Sequence, residues 1–179
     1  MKKKITPGSC FLIGFTCVFV SERLWWHIDF FPDFIGHLLL VHGFRQLRDE
    51  SGHFETARLF SRMLIPVTAL VDILYFLNLS FDSLPGLLVN LLIRACALYV
   101  LFCFNKGLSE LEQSRGRELG AKRLRDVWPS LLLGYLGTIL AAPFSYRAFY
   151  GLRCATAVAL CLLIFYLLKT AQALDSKEQ

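Results

Sequence analysis

Residues 84–104 read LPGLLVNLLIRACALYVLFCF, with Arg94 their only charged side chain. At about 1.5 Å per residue a helix of this length crosses the ~30 Å hydrocarbon core of a bilayer. Working outward, a second run of the same kind occupies 144–168, and shorter apolar runs lie at 10–26, 30–44, 63–79 and 127–142. The shorter runs sit at or below the limit of about 17 residues for a crossing. They read as crossings because each is joined to a neighbour by a short link. The composition agrees. The chain has 179 residues, 55% of them hydrophobic and 18% charged, with a mean hydropathy of +0.51. Soluble domains run at about 45–50% apolar and about 25% charged. These values exclude a secreted disulfide scaffold, a nucleic-acid-binding domain and a disordered tail. They predict an all-α polytopic membrane protein with six transmembrane helices.

Charge placement orients the crossings. With Lys2, Lys3 and Lys4 in the cytoplasm and six passes, 15 of the 19 basic residues fall in cytoplasmic segments. Only Arg23 and Arg147 lie in outer links, and Arg94 and Arg153 fall inside helices. Basic flanks resist translocation, so both termini are expected in the cytoplasm of a multi-pass protein in the cell membrane. The net charge of +5 then needs no nucleic-acid partner; the bilayer, with its anionic lipids, is the partner it implies. Trp25 and Trp26 fall at the outer interface and Trp128 at the inner one. Three lysines before an apolar run resemble the start of a signal peptide, but Val18-Phe19-Val20-Ser21 is a poor cleavage site, which predicts a retained first helix.

The two large inner loops are similar at an offset of 64 residues: Gly43 with Gly107, Phe44 with Leu108, Leu47 with Leu111, Ala57 with Ala121, Arg58 with Lys122. Residues 171–174 form a fainter third copy, and the outer links each carry a proline, Pro32, Pro85 and Pro143. Either juxtamembrane segments are alike by composition, or the single membrane domain is built of three tandem hairpins, near 5–50, 51–112 and 113–174, with a short tail at 175–179. The favoured reading is the repeat. The stretch Pro32-Asp33-Phe34-Ile35-Gly36, followed by an apolar helix closing near Gly43, resembles small uncharacterised bacterial integral membrane proteins with an outer "Pro-Asp-Phe-Ile-Gly". The resemblance implies the six-helix membrane architecture and no particular activity.

Polar residues in apolar surroundings mark the candidate site. Asp29, Asp33 and His37 cluster at the outer link and second helix. Asp33 and His37 are four apart and share a helix face, a spacing that can serve a metal or proton site. The same residues also fit a local role, with Pro32 opening the helix, Asp33 balancing its exposed amides, and His37 bonded to Asp33. Asp72 and Arg94 lie at equal depth, about 15 Å into the core, where a lone charge costs about 2.5–3.5 kcal/mol. They are expected to pair across one hairpin with Asn90 joining them, as a structural ion pair or as part of a polar pathway. Arg153 is expected to reach the outer interface or pair with Asp29 or Asp33. The six cysteines fall in three pairs seven apart, too distant along a helix for a disulfide, and read as small packing residues. No phosphate loop, nucleophile elbow or zinc-protease helix is present, so no cofactor is expected and an enzyme is disfavoured. Two functions remain: a small transporter or channel-like protein binding a solute or ion between hairpins, or an accessory subunit bound to another membrane protein or a second copy.

Overall fold

The ends of the helices are fixed by capping groups that the apolar runs do not reveal. The computed structural model describes residues 5–20, 32–76, 84–141 and 146–176. Among these residues there are six helices and no strand: α1 (Pro7–Val20), α2 (Asp33–Leu47), α3 (Gly52–Phe76), α4 (Leu84–Arg115), α5 (Ala121–Ala141) and α6 (Tyr146–Asp175). Pro32, at φ −57°, precedes α2, and Asp33 stands in its first turn, where a negative charge faces the free amides. The Ser51 hydroxyl accepts the His53 N–H at 3.1 Å, capping α3, and donates to Glu110 of α4 at 2.5 Å. Asp175 of α6 accepts from the Gly8 N–H at 3.0 Å and the Thr6 hydroxyl at 2.7 Å, at the start of α1. One Glu112 carboxylate oxygen accepts three consecutive N–H groups, of Leu119, Gly120 and Ala121, at 2.6, 2.7 and 3.0 Å. Gly116 and Gly120 take φ of +60° and +95°, which turns the chain around that carboxylate at little steric cost. Thus α1 and α5 begin on carboxylates supplied by α6 and α4, and α3 begins on a hydroxyl tied to a carboxylate of α4.

These contacts place the starts of α1, α3 and α5 and the ends of α2, α4 and α6 at one end of the bundle. The helices therefore alternate in direction, and the two ends of the described chain lie together. Each helix packs on the next and α6 returns to α1, closing a ring. The interior of the termini-bearing half is filled with aromatic rings. Phe11 and Phe15 of α1, Phe44 of α2, Phe54 of α3 and Phe104 of α4 are each at most 1% exposed. Phe104 touches Phe11 and Phe15 at ring-centroid distances of 4.6 and 5.1 Å. Such tilted pairs contribute about 0.5–1.5 kcal/mol each beyond their area.

Between α1 and α2 the helices meet through small residues. A Cβ on Gly36 would lie 2.8 Å from the Gly14 carbonyl oxygen and 2.9 Å from the Cys17 Cβ, and one on Gly43 would lie 3.0 Å from the Cys10 Cβ. Close backbone approach of this kind is how helices associate where water supplies no driving force.

Apolar stripes run along the outside of the bundle. On α3, Leu59, Met63, Val67, Leu70 and Ile73 form an exposed stripe at helical spacing, and Val158, Leu162, Phe165 and Leu168 form another on α6.

By length and composition, α4 and α6 are able to cross a membrane. The other four expected crossings fall short of that measure for different reasons. The described α1 and α2 have 14 and 15 residues, about 21–22 Å of helix. The 25-residue α3 and 21-residue α5 are long enough, but their first turns lie in charged sequence such as Lys122-Arg123. The helices also run past the expected limits, α4 to Arg115 rather than 104 and α6 to Asp175 rather than 168. Hydropathy sees the apolar part of a helix, and the polar continuation is held by the caps.

Candidate polar site in the bundle interior

The site is built from α2 upward. Pro32 fixes where α2 starts, and five residues later His37 points into the bundle, 1% exposed. Neither of its ring nitrogens has a hydrogen-bond partner. The expected bond between Asp33 and His37 is therefore not made, although Asp33 sits one turn away and is only half-buried. A buried, unbonded imidazole is costly, by about 1–3 kcal/mol for an orphaned polar group.

Arg94 of α4 approaches the same level from across the ring. Its Nη1 donates to the Val18 carbonyl of α1 at 2.8 Å, in the last turn of the described helix, where a cation suits the carbonyl end of the dipole. Its guanidinium carbon lies 5.9 Å from the centroid of the Tyr135 ring on α5, within cation–π range. Gly36, next to His37, packs on the same Val18, where a Cβ would lie 2.8 Å from its Cγ2, so His37 and Arg94 meet α1 at one turn. Tyr135 is 7% exposed and packs on Phe19. Four helices thus contribute to one polar level: Val18 (α1), His37 (α2), Arg94 (α4) and Tyr135 (α5).

The remaining expected site residues fall elsewhere. Among the described residues the ion pairs are Arg48–Asp49, His53–Glu110, Glu55–Arg58 and Glu50–Arg115. The Asp72–Arg94 pair expected from equal depth is not one of them. Depth fixes the level of a side chain but not the direction in which it leaves its helix, and Arg94 turns towards α1 and α5. Asp72 is half-buried on α3. Asn90 is exposed, so the expectation that it joins Arg94 is corrected. Four residues back places it about 40° around the helix and one turn nearer the end, where neighbours cover less of it. Arg153 lies over the Phe149 ring of its own helix, 5.3 Å from the centroid. Asp29 lies outside the described residues, as do Trp25 and Trp26.

Among the described residues no group of three His, Cys, Asp or Glu is placed to hold a metal, so Asp33 and His37 gain no third ligand there. The cysteines are free thiols: Cys10, Cys17 and Cys103 are buried, Cys96 is partly so, and Cys154 and Cys161 are exposed on α6. The packing role expected of all six therefore holds for the buried members and not for the outward pair. Trp128 turns into the bundle, where its indole N–H donates to the Leu98 carbonyl at 2.9 Å. Sequence reasoning missed Tyr135 and the Val18 carbonyl. A tyrosine in an apolar run carries no mark of function, and a backbone acceptor carries none at all. The chain matches no protein-family model, no curated protein and no solved structure.

Proposed function

We propose that this chain is an integral membrane protein that crosses the bilayer six times with both termini in the cytoplasm, as a small transporter or channel-like protein. In this reading it binds a polar solute or ion in the half of the bundle remote from its termini. The membrane part rests on apolar exposure: around an apolar core, large apolar side chains are also exposed on every described helix, in stripes rather than singly as on soluble monomers. The three-hairpin repeat belongs to the same proposal. The even helices bury matching positions at offsets of 64 and then 63 residues: Leu40, Phe104 and Leu167, then Phe44, Leu108 and Ala171, then Leu47, Leu111 and Leu174. The resemblance to small bacterial membrane proteins is compatible with it.

The observation that carries the binding role is His37. Its two bare nitrogens face a level shared with the Arg94 guanidinium, and polar groups left in such a position inside a membrane bundle are functional by default. A solute with an anionic or hydrogen-bonding group would satisfy His37 beside Arg94. The aromatic packing of Phe11, Phe44, Phe54 and Phe104 favours the second reading, an accessory subunit, because it interrupts a continuous polar track. Native mass spectrometry after gentle extraction separates the two. A small molecule or ion retained by the wild type and lost from His37→Leu supports the binding role. A second membrane protein at fixed stoichiometry, with nothing small bound and no effect of His37→Leu, replaces it with the accessory role.

A further inference from the structure

A groove of about 260 Å³ opens between α5 and α6, lined by Arg123, Asp126, Val127, Ser130, Leu162 and Tyr166 among others. Its polar and apolar residues are layered. Arg123 and Asp126 stand in the first two turns of α5, at the end that carries both chain termini. Val127 and Leu162 supply apolar walls about one turn beyond Arg123 and next to Asp126, and Ser130 and Tyr166 add hydroxyls to the lining. Arg123 and Asp126 are three apart and share a face, yet no ion pair joins them. Among the described residues no hydrogen bond or ion pair engages the side chains of Arg123, Asp126, Ser130 and Tyr166; the Tyr166 ring packs on Phe165 at 5.7 Å. An exposed cation and an exposed anion on one helix face, at the rim of an apolar groove, complement a head group that itself carries both charges.

We propose that this groove is a binding site for a phospholipid with a phosphoethanolamine head, drawn from the leaflet that faces the termini. The phosphate lies on the Arg123 guanidinium, whose planar donors suit phosphate oxygens. The primary ammonium donates to the Asp126 carboxylate. The hydroxyls of Ser130 and Tyr166 donate to the ester and phosphate oxygens, and one acyl chain follows Val127 and Leu162 towards the membrane interior. An anionic head group without an amine would meet Asp126 unfavourably, and a trimethylated amine has no N–H to donate.

The inference rests on the membrane reading, which is checked separately: alkaline carbonate leaves an integral protein in the pellet whatever it binds. The lipid test uses purified protein with dioleoyl phosphatidylethanolamine, phosphatidylglycerol or phosphatidylcholine, read by native mass spectrometry. The wild type is expected to retain the ethanolamine lipid over both others. Arg123→Ala lowers its retention about tenfold, the equivalent of one charge-assisted contact. Asp126→Asn removes the preference over phosphatidylcholine and raises retention of phosphatidylglycerol. Lys122→Ala, one residue away and outside the groove, leaves retention unchanged. Equal retention of all three lipids by the wild type, or wild-type retention in Arg123→Ala, overturns the proposal. All three replaced side chains are exposed, so each variant is expected to keep the wild-type helical circular dichroism, which verifies the fold.

Discussion

At the residue scale, His37 is the clearest conflict between local chemistry and fold. Its position was legible: a histidine five residues after a helix-opening proline, in an apolar run, stands out in the sequence. Its surroundings were not. Sequence spacing offered Asp33 as a partner along the same helix, whereas the structure turns the ring inward and leaves both nitrogens bare. Arg94 shows the same division. Its depth could be counted from the helix ends, but its partner across the ring depends on the direction of a long side chain, and it reaches Val18 and Tyr135 rather than Asp72. The stability consequence is specific. Replacing an orphaned buried polar group with an apolar one of similar size is neutral or stabilising, by about 1–3 kcal/mol at most. Thermal unfolding in detergent should show His37→Leu at least as stable as the wild type. A clear fall in stability would mean that the imidazole holds a structural partner and is not a waiting binding group.

At the element scale, the glycines and caps decide how the helices fit. Gly36 lets α2 approach α1 closely, through its contacts with Gly14 and Cys17. A methyl group there meets backbone, which cannot move aside as a side chain can. Gly36→Ala should therefore cost about 1–3 kcal/mol, as overpacking does. Gly151 makes the internal comparison, since a Cβ there meets nothing within 4 Å. Gly151→Ala should be neutral or gain up to about 1 kcal/mol of helix propensity. Equal effects at the two sites would deny the seam. The caps lay beyond sequence reading, because Glu112 and Asp175 look like ordinary charges in polar stretches. Glu112 alone satisfies three N–H groups at the start of α5. Glu112→Ala should destabilise by about 1.5–3 kcal/mol, the range for hydrogen bonds to a charged group, and Glu112→Gln by less. Amide exchange should rise first at Leu119, Gly120 and Ala121. Unchanged protection there would remove Glu112 from its capping role.

At the scale of the whole molecule, the alternation of direction was readable from the count of apolar runs, and the closure of α6 on α1 was not. Closure depends on Asp175 meeting the start of α1, a contact 167 residues apart that no local pattern announces. What the two observations share is a sidedness. The contacts gather the starts of the odd helices and the ends of the even ones at one pole, and the basic residues at 45–62, at 106–125 and at Lys169 belong to those same segments. If that pole faces the cytoplasm, as the distribution of basic residues predicts, the Ser51 and Ser114 junctions are sealed from outside, and the link between α3 and α4 is open to it. In a chain whose six native cysteines are replaced by serine or alanine, a membrane-impermeant maleimide applied to intact cells should label Ser83→Cys and leave Ser114→Cys unmarked. Permeabilised cells should label both. Labelling of Ser114→Cys alone in intact cells would invert the orientation while keeping the alternation. Labelling of both positions in intact cells would place α4 on one side of the membrane and end the six-crossing reading, because a single pass through α4 is all that separates them.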